Sequence, residues 1–579
     1  MRRRETSKLA ACRRSATALL ALLLLAACAT APASQATHDL VIRNGLIHDG
    51  SGGAPHVGDV AVEGDRIVAV GEVEGRGERE IDAAGHAVAP GFINMLSWAT
   101  ESLIEDGRAM SDIEQGVTLE IFGEGVSMGP LTPEMRRLMI SRQGDIRFPV
   151  PWTSLDEYLR HLETSGVSPN VASFIGATSV RMHELGEGDV DPTPEQLAQM
   201  RALVRRAMEE GALGVGSSLI YAPASYAETP ELVALVEEAG RCGGMYISHM
   251  RSEGNHIDRA IAELIAISRQ SGAPAEIYHL KLAGRENWDR LPEVIAQIEA
   301  ARAEGLRITA DMYTYPAGAT GLDAAMPTWV QDGGHEAWVQ RLRDPLIRAR
   351  VIREMRAPSD DWENLLLLAG GAENVLLIGF RNDALKPLTG MTLAEVAARR
   401  GLTPEETAID LVIEDDSRVD TAYFLMSEDN VRAQTALPWM SFGSDAGAPA
   451  TEGVFLRSNT HPRAYGNFAR LLGRYVRDER ALTLPDAIRR LTALPAANLG
   501  LTDRGSLRGG AFADIVVFDP ATIADHATFD EPHQYASGMR DVFVNGVQVL
   551  SGGEHTGATP GRVVRGRGWT GWPDGGACR

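Results

Sequence analysis

Cysteine is nearly absent from this chain, with four residues in 579. No Cys-x-x-Cys pair and no His/Cys cluster occurs, which argues against a structural zinc finger, and Cys242 and Cys578 stand too far apart in sequence to suggest a disulfide framework. Cys242, just ahead of a strand-like run, reads as a small buried apolar residue. Basic residues are also short: 56 Lys and Arg face 78 Asp and Glu, a formal net charge of −22. Such a surface repels nucleic acid, so no nucleic-acid partner is expected. Internal repeats and low-complexity tracts are missing as well. The marked N-terminal apolar run, Ala18 to Ala27, is too short to serve as a permanent membrane span.

That run follows Arg2, Arg3, Arg4, Lys8, Arg13 and Arg14, and the pattern reads as a secretory signal over residues 1–27. It ends Leu25-Ala26-Ala27-Cys28, which resembles the bacterial lipobox, where the cysteine becomes the lipidated first residue. Ala29 in the next position implies sorting to the outer membrane. The expectation is an exported lipoprotein of the bacterial cell envelope, facing the periplasm and held to the membrane through acyl chains on Cys28, each buried methylene adding about 0.8 kcal/mol. Residues 28–37 would be the tether. A plain signal peptide with an incidental cysteine is the alternative. Removing the leader takes six basic residues and only Glu5, so the mature chain is still more acidic.

The remaining composition, 44% hydrophobic and 23% charged, fits a large globular core with a smaller unit beside it. Residues 38–88 hold short alternating strands broken by Gly and Asp turns, and the same texture returns over 505–565, where Asn545-Gly546 marks a hairpin. Both chain ends therefore build one small β-sandwich. Between them, over 89–504, eight apolar and often β-branched runs fall near 87–97, 116–124, 169–179, 211–220, 244–250, 274–284, 307–315 and 439–447, mostly separated by amphipathic helical stretches. Thr193 and Pro194 illustrate a helix start, as cap and first residue. The spacing predicts an α/β fold, a (β/α)8 TIM barrel inserted into the β-sandwich. The interval 316–438 is too long for one crossover, and its texture predicts a helical insertion over the barrel mouth.

His249 and His279 end the fifth and sixth runs, and Asp445 ends the eighth. Side chains at those places converge at the carboxyl end of a barrel, where two imidazoles hold a metal and a carboxylate moves protons. A hydrogen-bonded core histidine is the bland reading for each, as is a structural cap for Asp445.

These residues together resemble a known group. The split β-sandwich, Ala89-Pro90-Gly91-Phe92-Ile93, Ser248-His249-Met250-Arg251, His279-Leu280-Lys281, Gly443-Ser444-Asp445 and His461-Pro462-Arg463 are similar to the amidohydrolase superfamily, in particular its N-acyl-D-amino-acid deacylase (D-aminoacylase) branch, over residues 38–565. The resemblance implies zinc, one per chain, on His249 and His279, with a third ligand from the second strand. Family members carry a cysteine there; Glu124 is the nearest ligand in this chain, and a carboxylate oxygen is a competent substitute. Glu120 reads as a buried structural acid or a partner of Glu124. Leu96 and Trp98, on one face of the first strand, stand where the family has His-x-His, turning that half of the site into an apolar wall, and this departure from the family points to one metal. The resemblance also implies that Asp445 is the general base and acid for a zinc-activated water. Lys281, Tyr313 and Arg463 would grip the substrate's α-carboxylate. The family's serine after that tyrosine has no clear match in Gly318-Ala319-Thr320.

The function so implied is hydrolysis of a linear amide, in an N-acyl-D-amino acid or a related D-residue-containing compound. The alternatives are a catalytically silent binding lipoprotein on the same scaffold, and an amidohydrolase of dipeptides or cyclic amides.

Overall fold

The computed structural model describes residues 37–578. The signal segment, Cys28 and the tether up to residue 36 lie outside the described residues. Eight parallel strands make the central barrel: Phe92–Asn94, Val117–Phe122, a third in two pieces (Asn170–Ser173 and Ile175–Gly176), Gly214–Ser218, Met245–His249, Ala275–Ile277, Ile308–Met312 and Met440–Phe442. The ring closes where the Met95 N–H donates to the Phe442 carbonyl at 3.2 Å and Ser97 bridges to Ala446. Alternate residues point inward: Leu119, Ile121, Met245 and Ile247 share one interior cluster with Ile93 and Phe174, while Val215 and Tyr246 face the surrounding helices. The outer helix Pro194–Glu210 starts as its sequence dictates, with a Thr193–Gln196 capping box and proline in the first turn.

Both chain ends meet in one nine-stranded sheet. Its junction is Ala87–Pro90 running antiparallel to Ile515–Phe518, with Pro90 opposite Ile515. The long strand Thr37–Ile47 shifts register between Ile42 and Gly45, pairing with Arg76–Asp82 along its first part and with Ala87–Pro90 at its end. The sheet bends there around a core of Leu40, Ile42, Val60, Val62, Val517 and Phe543. Asn545 and Gly546, with φ of 50° and 80°, form the tight turn between Met539–Val544 and Val547–Ser551.

Three features depart from the expectations. The first apolar run is two strands, because Ala87–Pro90 belongs to the β domain and Phe92–Asn94 to the barrel. Gly91 lies between them, where a Cβ would meet the Thr118 side chain at 2.1 Å. The insertion between the seventh and eighth strands does contain helices, among them Pro345–Met355 and Pro404–Asp415, but also an antiparallel sheet of Gly318–Gly321, Asp420–Tyr423 and Val375–Gly379. Its strands are too short and glycine-rich to read as such.

The third departure concerns Cys242, which is not a free apolar residue. It is disulfide-bonded to Cys578 across 336 positions. The chain beyond residue 560 runs under the barrel: Val563 bridges to Val171, the Gly566 N–H reaches the Gly211 carbonyl at 2.9 Å, and Thr570 reaches Glu209 at 3.0 Å. These contacts lie at the amino ends of the third, fourth and fifth strands, and the disulfide completes them. Among the described residues no helix is long and apolar enough to cross a membrane.

Candidate metal centre

The second barrel strand leads into Gly123-Glu124-Gly125. Gly123 has φ 107° and Gly125 φ 69°, and a Cβ on either would strike Phe174 or Ser218 within 2.4 Å. Only glycine fits at these positions, and the two together turn Glu124 into the barrel mouth. His249 ends the fifth strand on the same inward face as Met245 and Ile247. His279 arrives differently. The sixth strand stops at Ile277, Tyr278 joins the interior cluster, and strict alternation would carry the next side chain outward. A left-handed residue, φ 35° at His279, returns the imidazole to the mouth, and Asp311 fixes that turn by accepting the His279 backbone N–H at 2.8 Å. Asp445 is left-handed too, with φ 50°, and its N–H is held by the Leu96 carbonyl at 2.8 Å. Strained backbone of this kind persists where surrounding structure dictates it, often at functional sites.

Glu124, His249 and His279 converge. Oε1 of Glu124 lies 2.9 Å from Nδ1 of His249 and 3.1 Å from Nε2 of His279, and the three residues offer ligand atoms all within 4.8 Å of one another. All three are buried. Nε2 of His249 has no hydrogen-bond partner among the described residues. Burial works against ionisation of Glu124, yet its two histidines hold the carboxyl well below the usual range. For His279, burial and Lys281 act to lower the pKa, and Glu253 with Glu124 outweighs them, lifting the ring to about 10. A cation binding there would displace that proton. One carboxylate and two imidazoles are a donor set that suits zinc, and this is the only such cluster among the described residues.

Glu253 is a site residue that sequence reasoning missed. It is buried four residues after His249, and its Oε1 lies 2.6 Å from Nζ of Lys281 and 2.9 Å from Nδ1 of His279. A carboxylate behind a ligand imidazole sets the ring's tautomer and orientation. Burial opposes its charge, but Lys281 and both histidines hold its carboxyl far below the ordinary value. Behind it, the half-buried Glu363 accepts from Ser252 and from the Glu253 and Gly254 N–H groups. The spacing from His249 was the available signal. A lone glutamate entering a helix does not stand out.

The other candidates line the same cavity of about 520 Å³. Nζ of Lys281 is engaged by Glu253 and lies 2.7 Å from Nδ1 of His279; it comes close by the left-handed turn, not by sharing a strand face, since no strand continues to it. Arg463 ion-pairs with Asp445 at 2.8 Å. Burial raises the Asp445 pKa, against the pull of Arg463. Tyr313 lies between the two cations, 4.4 Å from the Arg463 guanidinium and 5.5 Å from the Lys281 ammonium, and burial pushes its hydroxyl up to about 12. His461 receives the Arg463 N–H on Nδ1 at 3.0 Å and donates from Nε2 to the Ala317 carbonyl at 3.0 Å, so it shapes the loop carrying Arg463.

Glu120 is not in the cavity. It bonds Asn94 at 2.9 Å, and Asn94 in turn receives the Ser444 N–H at 2.8 Å, joining the first, second and eighth strands. Leu96 is buried, as an apolar wall requires, but Trp98 is 40% exposed to the cavity. Its indole N–H donates to Oε2 of Glu124 at 2.8 Å, so this side of the site is not purely apolar.

An eight-stranded barrel with a carboxylate–imidazole cluster at the carboxyl ends of its strands, joined to a β domain built from both chain ends, defines a barrel hydrolase with a metal-binding site. The sequence pattern of the Amidohydrolase family matches residues 79–550, and the chain belongs to that family. It is 33% identical over 531 residues to a D-aminoacylase of Alcaligenes xylosoxydans xylosoxydans, spanning 91% of this chain and 97% of the relative. An N-acyl-D-aspartate deacylase of the same organism is also 33% identical, over 91% and 95% of the two chains. The crystal structure of an N-acyl-D-glutamate deacylase from Bordetella bronchiseptica, complexed with zinc and a phosphonate mimic of the tetrahedral intermediate, superposes with a TM-score of 0.75 at 30% identity, covering 92% of this chain and all of its own.

Proposed function

We propose that this chain hydrolyses the linear amide of an N-acyl-D-amino acid, with one zinc held by Glu124, His249 and His279. The observation that carries this reading is the single cavity onto which that cluster, Asp445 and Arg463 all open. The D configuration and the metal's identity are supported by the three relatives, all named for D-amino-acid substrates and one of them complexed with zinc. A cation held there would supply Lewis acidity for the scissile carbonyl and for an attacking water. Asp445 is placed to take a proton from water in the cavity and deliver it to the departing nitrogen. In this structure its partner is Arg463. A substrate carboxylate competes for that guanidinium and leaves Asp445 freer to accept a proton, so the grip and the base are linked. Tyr313 and Lys281 complete the proposed grip, Lys281 by its charge. A panel of matched D and L N-acyl amino acids, assayed with elemental analysis of the purified protein, tests the reading. Turnover of the D series with about one zinc per chain is expected; metal-free protein without turnover would favour a binding lipoprotein instead.

Export and lipidation at Cys28 are part of the same proposal. The Cys242–Cys578 disulfide supports an oxidising compartment. Fractionation of cells expressing the wild type and Cys28→Ser checks it: the wild type should be in the membrane fraction, and the variant should be unprocessed or soluble.

A further inference from the structure

We infer that Trp98 is a positioning residue for the metal centre: by holding Oε2 of Glu124 it leaves that carboxylate a single oxygen, Oε1, to offer to a cation. The inference rests on the ligand set proposed above and concerns how that set is kept in place.

The terminal torsion of a glutamate is soft and roughly two-fold, so its two oxygens exchange easily unless something distinguishes them. Here the distinction is complete. Oε1 faces the two imidazoles at 2.9 and 3.1 Å, while Oε2 receives the indole N–H of Trp98 at 2.8 Å, its one donor among the described residues. A hydrogen bond to an ionised carboxylate is of the stronger, charge-assisted kind. The Trp98 main chain is anchored as well, since its backbone N–H donates to the Ala446 carbonyl at 2.9 Å, beside Asp445. Trp98 therefore ties the carboxylate of the second strand to the junction of the first and eighth. A carboxylate that bridges two ions in the common mode uses one oxygen for each. With Oε2 occupied and Leu96 buried as hydrocarbon, the cavity retains one place for a cation, and one residue both withholds an imidazole and caps the spare oxygen.

Trp98→Phe deletes the N–H and keeps an aromatic wall on a side chain already partly exposed. In the full-length protein, zinc affinity measured by chelator competition should weaken 10- to 100-fold, the usual loss when an outer hydrogen bond to a ligand is removed. The absorption spectrum of the cobalt-substituted variant should also change, as Glu124 becomes free to bind through two oxygens. Trp98→Gln, which restores an N–H donor, should bind zinc more tightly than Trp98→Phe. Wild-type affinity and spectrum in Trp98→Phe would overturn the inference. Failure of the ligand set itself looks different: Glu124→Ala would bind zinc as tightly as the wild type.

Discussion

At the carboxyl ends of the barrel strands, Glu124, His249, Glu253, His279, Lys281, Asp445 and Arg463 crowd into one partly enclosed space, and two of them sit on left-handed backbone. At the amino ends, the C-terminal tail lies across the third to fifth strands through main-chain hydrogen bonds and is fastened by Cys242–Cys578. The first arrangement is costly. Each buried charge must find a partner or lose several kcal/mol, and each left-handed non-glycine residue costs about 1–3 kcal/mol. The second arrangement carries no such burden, and its disulfide adds stability. The barrel thus concentrates its liabilities where a cation and substrate bind and its reinforcement at the opposite end. Variants at the mouth should change chemistry while those at the base change stability.

His249→Ala offers the largest effect. It should abolish stoichiometric zinc and reduce turnover at least 1000-fold, an order-of-magnitude expectation for loss of the metal's contribution, read by elemental analysis and steady-state assay. Full activity without His249 would erase the contrast at its functional end. Asp445→Asn is the sharper version. The amide cannot accept a proton, so kcat should fall about 100- to 10,000-fold while zinc content stays at the wild-type value. Loss of zinc in that variant would mean that Asp445 belongs to the ligand set rather than to proton transfer.

The base is tested by Cys578→Ser. Opening the disulfide should lower stability by about 2–5 kcal/mol, measured by thermal or denaturant unfolding, with kcat/KM of the folded protein changed less than twofold. A matching loss of activity would show that the two ends are coupled and that the comparison fails.

The same contrast governs what could be read from sequence. Barrel strands were legible because their inward and outward faces are both apolar, giving dense runs, and because His249, His279 and Asp445 interrupt such runs at their ends. The break at Gly91 was hidden inside continuous hydrophobicity, since neighbouring residues serve two different sheets. Glu253 and Trp98 are ordinary residues until folding brings them against His279 and Glu124. Nothing local to Cys242 or Cys578 announces a partner 336 positions away. Pairings carried by single long-range contacts leave no periodic trace, whereas repeated burial does.

The smallest effect lies between the two ends and tests how far down the barrel the burden extends. Glu276, on the sixth strand below the metal cluster, is buried, and it accepts hydrogen bonds from Thr309 at 2.5 Å, Ser441 at 3.1 Å and Asn498 at 2.8 Å. Burial outweighs these donors and lifts its pKa to about 7. Because the folded value exceeds the unfolded one, the protonated acid favours the fold at low pH, and that contribution is lost as pH rises from about 4.5 through 7. Glu276→Gln keeps a neutral group of the same shape at every pH. It should change stability near pH 5 little and raise it at pH 8 by roughly 2–3 kcal/mol more, an order-of-magnitude figure from the rise from 4.5 to about 7 at about 1.4 kcal/mol per pH unit. Urea unfolding of both proteins at pH 5 and pH 8 measures the difference. Equal pH slopes in wild type and variant would mean that Glu276 is as well accommodated charged as neutral, and that the liabilities stop at the mouth.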